Sequence, residues 1–128
     1  MKLCVLIPAF NEAKVIRRCI LGAYSAGLNR QDVYVVDDGS KDETSAIAKH
    51  YKAQVLTKTN GGKAAALEAG LQHFKLAERY THIAILDSDS VIDPDYAVEM
   101  EAAIKRHPDA ALLVGRPVSM PGKWNWLT

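Results

Sequence analysis

A chain of 128 residues, 48% hydrophobic and 24% charged, has the composition of one ordinary globular domain, with room for a core but short for a complete two-substrate enzyme. Its net charge of +1 argues against a nucleic-acid surface or a polybasic membrane face. No Cys/His cluster has zinc spacing, and no apolar run is long enough to span a bilayer or is followed by a signal-peptide cleavage pattern.

Leu3 to Ile7 reads as a first buried strand, ended by Pro8. Pro8-Ala9-Phe10-Asn11-Glu12 forms a turn, with Asn11 as N-cap of a helix. Val15, Ile16, Cys19, Ile20, Ala23 and Tyr24 share one face of that helix, Lys14, Arg17 and Arg18 the solvated face, and Gly27 stops it. Cys4 and Cys19 fall in apolar surroundings and read as reduced core residues, fitting a reducing, cytoplasmic compartment.

Asp32 to Val36 is a second strand, running into Asp37-Asp38-Gly39-Ser40. Ser40 and Glu43 have capping-box spacing for a second helix through Ile47, Ala48 and Tyr51. Asp37 and Asp38 have two readings. They are turn residues, or one reaches a ligand's donors such as a base N–H or ribose hydroxyls.

Gln54 to Thr57 is a short third strand. Thr59-Asn60-Gly61-Gly62-Lys63 then opens a helix with Leu67, Leu71 and Phe74 inward. Gly61 and Gly62 permit close backbone approach, and a lysine at a helix start is unfavourable without a nearby anion. The loop reads as a phosphate contact or as a flexible turn. It is not a Walker A loop, which needs Gly at Thr57 and Ser or Thr at Ala64.

The fourth strand, His82 to Leu86, ends abruptly in Asp87-Ser88-Asp89. Two carboxylates one residue apart at a buried strand's carboxyl end repel unless a cation joins them. The spacing points to a divalent metal and a phosphorylated ligand, or to plain turn and capping chemistry before Pro94. Asp93 is placed as the cap of a fourth helix, with Pro94 first in it; Ala97, Met100 and Ile104 form its buried face and Pro108 follows its end. Ala110 to Gly115 is a fifth strand, and Arg116 to Thr128 has no clear period.

Strands alternating with helices predict an α/β domain with a mostly parallel sheet. In such a sheet the polar clusters after the first, second and fourth strands and the glycine loop share one edge, so one ligand could touch them all. The first turn lacks glycine, so a dinucleotide G-x-G-x-x-G is absent.

Leu6-Ile7-Pro8-Ala9-Phe10-Asn11-Glu12, Val35 to Thr44 (VVDDGSKDET), Asn60 to Leu67 (NGGKAAAL) and Leu86-Asp87-Ser88-Asp89 together resemble the family 2 glycosyltransferases of the GT-A fold, over residues 3 to 118. The Asn-Gly-Gly-Lys and Asp-Ser-Asp versions are most similar to the membrane polysaccharide synthases that make chitin, hyaluronan, cellulose or poly-N-acetylglucosamine. The resemblance implies that Pro8, Ala9, Asn11 and Glu12 line a nucleotide pocket and that Asp38, with Asp37, binds base or ribose. Gly62 and Lys63 would lie near base and diphosphate, Asp87 and Ser88 near the nucleotide sugar, and Asp87 and Asp89 would hold Mg²⁺ or Mn²⁺. A UDP-sugar is the implied donor and a saccharide or lipid-linked molecule the acceptor, with inversion at the sugar.

The family's catalytic base lies well beyond Asp89, and its counterpart is expected beyond Thr128. Residues 1–118 are thus expected to form the nucleotide-sugar-binding domain and 119–128 the start of an acceptor-side region. The chain alone is expected to transfer sugar poorly and to self-associate through apolar surface near Trp124 and Trp126. A parent protein would sit at the cytoplasmic face of a membrane. Two other functions compete: a non-catalytic nucleotide-binding module, favoured by the missing base, and a sugar-phosphate nucleotidyltransferase, which would want a glycine-rich basic loop after the first strand, where Pro8 to Glu12 is neither.

Overall fold

The computed structural model describes residues 2–90, 92–107, 112–117 and 124–127, the side chains of 96, 97 and 112–127 excepted. Six strands form one sheet in the order β3-β2-β1-β4-β5-β6: β1 Leu3–Ala9, β2 Val33–Asp37, β3 Gln54–Thr57, β4 His82–Ile85, β5 Leu112–Pro117 and β6 Trp124–Leu127. Every neighbouring pair from β3 to β5 is parallel, and β6 adds an antiparallel edge. The helices are α1 Ile16–Ser25, α2 Thr44–His50, α3 Lys63–His73, α4 Leu76–Arg79 and α5 Tyr96–Arg106.

Side chains alternate across a strand, so a sheet buried on both faces makes two cores. Val5 and Ile7 of β1 and Val33 and Val35 of β2 pack with Ile16 and Ile20 of α1, Ala48 of α2 and Met100 of α5. Cys4 and Leu6, with Tyr34 and Val36, face Ala66 of α3 and Leu76 of α4 on the other side. The doubly covered α/β architecture read from the sequence is the observed one. Cys4 and Cys19 are free, buried thiols in different cores. Burial, aided by nearby acidic groups, pushes each up to about 12.

The chain winds from β1 out to β3, then returns to place β4 on the other side of β1. The carboxyl ends of β1 and β4 therefore flank the point where the winding reverses, the place where open α/β sheets bind ligands.

Several local expectations need correction. Pro8 does not end the first strand; it pairs opposite Val36, and the strand continues to Ala9. Asn11 does not cap α1, which starts at Ile16 after an uncapped Val15. The Ser40–Glu43 capping box does not form, because α2 begins at Thr44 and Ser40 Oγ accepts the Asn11 amide at 2.7 Å. Asp93 does not cap the last helix, which starts at Tyr96; its carboxylate instead accepts the Asp95 amide at 2.8 Å. In each case a polar side chain satisfies a loop amide rather than a helix end. Gly27, by contrast, takes φ 105° after α1, as its role as a stop requires. The short α4 and the strand β6 were not anticipated, while Pro108 and residues 110–111 of the expected fifth strand lie outside the described residues. Exposure of Trp124 and Trp126 also lies outside the described side chains.

Candidate functional site

At the reversal point a cleft of about 390 Å³ opens between the ends of β1 and β4. Pro8, Ala9, Phe10 and Glu12 form one wall, Asp87, Ser88 and Asp89 the other, and Asp38, Lys63 and Ala66 close it. Of the residues singled out in the sequence, Asn11, Asp37 and Gly62 do not line it. They build its frame instead.

The frame is a lacing of two loops. Asn11, held at φ 53°, donates its amide to Ser40 Oγ and accepts the Lys41 amide on Oδ1 at 2.9 Å. The Glu12 amide donates to Thr44 Oγ1 at 2.9 Å and the Ala13 amide to Asp42 Oδ2 at 3.2 Å. Asp42 also accepts both the amide and the hydroxyl of Thr44. Those bonds hold its carboxyl below the usual range, the Thr44 hydroxyl contributing most. Asp37 turns back to accept the Ser40 amide at 2.9 Å. These bonds satisfy amides that loops and helix starts otherwise leave open.

Asp38, 3% exposed, ties in the glycine loop. Its Oδ1 accepts the Lys58 ammonium at 2.7 Å and the Gly61 amide at 3.0 Å. Its Oδ2 accepts the Gly62 amide at 2.8 Å and the Asn60 side-chain amide at 3.2 Å. Burial raises its pKa, yet the ammonium and the two backbone amides outweigh it, and the carboxyl is held below the ordinary value. With all four acceptor positions used, Asp38 here fastens the loop. Gly39 makes this close fit possible: it adopts φ +83°, and a Cβ there would stand 2.7 Å from the Asn60 backbone nitrogen. Gly62 reaches φ +96° to start α3, and so aims Lys63 across the cleft.

Lys63 Nζ meets Asp87 Oδ1 at 2.8 Å, both side chains more than half exposed. A pair this wet holds little energy, so either partner can be taken by a ligand. Asp89 is exposed, Ser88 is buried, and the Cys19 thiol donates to the Asp87 backbone carbonyl at 3.6 Å. Glu12 is shifted upward by burial and then by the negative charges of Asp89 and Asp42. Lys63 pairs with Asp87 alone, and the charges of Asp89 and Asp42 still press on Glu12, a setting a cation relieves. Among the described residues no three Asp, Glu, His or Cys side chains form a ready cage. Asp87 and Asp89 offer hard oxygens, which fits an ion that takes one or two carboxylates and completes its shell with substrate phosphates.

Two features escaped the sequence reading. Phe10, 45% exposed, presents an aromatic face at the cleft; its place between an apolar strand and Asn11 gave no periodic signal. Lys58 completes the Asp38 network, and only its nearness in space, twenty residues away in sequence, reveals it.

Among relatives, the poly-β-1,6-N-acetyl-D-glucosamine synthase of Staphylococcus epidermidis is 27% identical over 117 residues, covering 88% of this chain and 27% of that protein. The chondroitin synthase of Pasteurella multocida is 37% identical over 101 residues, covering 75% of this chain and 10% of that protein. Among solved structures, S. aureus TarS 1–349 in complex with UDP-GlcNAc superposes with a TM-score of 0.68 at 26% identity, covering 84% of this chain and 32% of that one. The chain thus spans a third or less of the length of each. The sequence pattern described as glycosyl transferase family 2 matches residues 4–128, and with the GT-A architecture and the cleft at the sheet reversal in agreement, the chain belongs to that family.

Proposed function

We propose that this chain forms the donor half of a glycosyltransferase, binding a UDP-sugar in the cleft between β1 and β4. The observation that carries this reading is the convergence of Lys63, Asp87 and Asp89 with Pro8, Ala9 and Phe10 in one cleft. The charged residues suit a diphosphate and its cation, and the apolar ones suit a base. The UDP-GlcNAc complex of TarS supports a uridine nucleotide, and the synthase relatives support a growing saccharide as acceptor.

In this reading Asp87 and Asp89 hold Mg²⁺ or Mn²⁺, and Ser88 lies against the nucleotide sugar. When bound, the ion would neutralise charge developing on the departing diphosphate. Lys63 releases Asp87 and turns to a phosphate, keeping a charge-assisted bond throughout. Asn11, Asp37 and Gly62 act through the frame they build. Asp38 reaches base or ribose only by giving up one of its four loop donors. In this reading the inverting base is supplied by a longer protein, of which the chain would span about as little as it does of its relatives, and the 128 residues alone transfer sugar slowly. Among the described residues no helix is long and apolar enough to cross a membrane; attachment at a cytoplasmic face belongs to the parent protein. A non-catalytic nucleotide-binding module shares the same cleft and differs only in lacking that base.

Isothermal titration with UDP, GDP and ADP, each with Mn²⁺ and with EDTA, tests the reading. Saturable heat with UDP, strongest with Mn²⁺ and lost in Asp89→Ala, is expected. Binding of no nucleotide, or equal binding by Asp89→Ala, would overturn it.

A further inference from the structure

A second concavity, of about 400 Å³, lies between α1 and α2, apart from the nucleotide cleft. Lys14, Arg17 and Arg18 form one side of it; Glu43, His50 and Tyr51 form the other. Three permanent cations and a histidine face a single carboxylate there, on a chain whose total charge is only +1. Among the described residues none of the three cations makes an ion pair. All three side chains are exposed, and among the described residues Arg17 is the one of them that makes a side-chain hydrogen bond. The Tyr24 hydroxyl donates to the Tyr51 carbonyl at 2.7 Å and so fixes the end of α2. The Tyr51 hydroxyl accepts Arg17 Nε at 2.8 Å, and the guanidinium lies 5.7 Å from the Tyr51 ring centroid. The His50 ring packs edge-on against the same tyrosine, 4.8 Å between centroids.

The Tyr51 hydroxyl orients the exposed Arg17 guanidinium through Nε and leaves its two terminal nitrogens free to donate. Those two nitrogens match two oxygens of a phosphate, and the Tyr51 contact lowers the cost of orienting them. We propose that the groove between α1 and α2 binds the phosphate group of a phosphomonoester or phosphodiester, with Arg17 as the central contact, Lys14 and Arg18 as flanking charges, and Tyr51 as the positioning residue. The same chemistry is presented by a soluble sugar or glycerol phosphate and by an anionic lipid headgroup. The inference does not rest on the donor-site reading, since the two cavities share no lining residue.

The test is a ¹⁵N–¹H NMR titration of the 128-residue chain with glycerol 3-phosphate against sodium chloride at matched ionic strength. A second arm is co-flotation with phosphatidylglycerol vesicles against phosphatidylcholine vesicles. Arg17→Gln and Tyr51→Phe are run in both, with thermal unfolding to confirm that each is folded. Saturable shifts of the Arg17 Nε–H and of amides in 14–18 and 43–51, absent with chloride, are expected. Arg17→Gln should abolish them, and Tyr51→Phe should weaken binding severalfold with the charge count unchanged. Binding in the first arm alone names a soluble phosphate, and Arg17-dependent flotation alone names a headgroup. Failure of both arms, flotation that survives Arg17→Gln, or shifts that chloride reproduces would overturn the proposal.

Discussion

Replacing Asp38 with asparagine keeps the shape of the residue that fastens the glycine loop and removes half of its acceptors. The carboxylate receives four donors: Lys58 Nζ, the Gly61 and Gly62 amides, and Asn60 Nδ2. An asparagine whose oxygen serves Lys58 and Gly61 turns its NH₂ toward the other two, leaving them facing a donor. Losing a bond to a charged acceptor costs about 1.5–3 kcal/mol, and a weaker one near 1. Lys58, its side chain 21% exposed, also loses its counter-charge. The sum is about 4 kcal/mol, a large part of the roughly 5–15 kcal/mol that holds a domain folded. Urea unfolding at neutral pH measures it. The acid side gives a second check. Because the folded pKa of Asp38 lies below its ordinary value, its contribution is complete above the ordinary carboxylate range and is lost as pH falls through the folded value. The gap between wild type and Asp38→Asn should therefore close in acid. A neutral-pH loss below about 1 kcal/mol, or a gap that does not depend on pH, would refute the network as the loop's anchor.

Four further outcomes follow from other parts of the molecule. Gly70→Ala places a Cβ 2.7 Å from Val36 Cγ2 and 3.0 Å from Leu6 Cδ1; overpacking of about 1–3 kcal/mol against a helix gain near 1 predicts a lower urea midpoint. Tyr80→Phe removes a hydroxyl that donates to Asp32 Oδ1 at 2.6 Å and meets the Tyr34 hydroxyl at 2.8 Å, so a loss of about 1–3 kcal/mol is expected in the same assay. Cys4 and Cys19, with thiols pushed up to about 12, should stay unreactive to a disulfide reagent at pH 8 until the chain unfolds. Lys63→Met, breaking only a wet ion pair, should move stability by less than about 0.5 kcal/mol yet weaken UDP binding about tenfold by titration calorimetry.

How much of this could be read from the sequence depended on the range of the interaction. Buried strands such as Leu3 to Ile7 and His82 to Leu86 announce themselves because a two-faced sheet demands uninterrupted apolar residues. Parallel strand direction then followed from alternation with helices, and the meeting of Pro8, Glu12, Asp38, Lys63 and Asp87 to Asp89 at one edge followed from that direction, while the strand order itself came only from the structure. Helix starts were misjudged because Asn11, Ser40 and Asp93 have capping chemistry that loop amides captured first. The caps and the lacing bonds use the same groups, and only three-dimensional proximity decides between them. Lys58 and Phe10 were missed for a related reason: nothing local distinguishes a lysine that reaches a buried carboxylate, or an aromatic at a cleft, from its solvated equivalents.

The most direct measurement of the central claim is thermal unfolding of the chain with UDP and Mn²⁺ together, compared with each alone and with Asp89→Asn. Saturation at about 100 times Kd adds about 2.7 kcal/mol, enough to raise the midpoint by several degrees. A rise that needs both components and disappears in Asp89→Asn is the predicted result. A midpoint unmoved by UDP and Mn²⁺, or one raised equally in Asp89→Asn, would contradict a diphosphate site at the ends of β1 and β4.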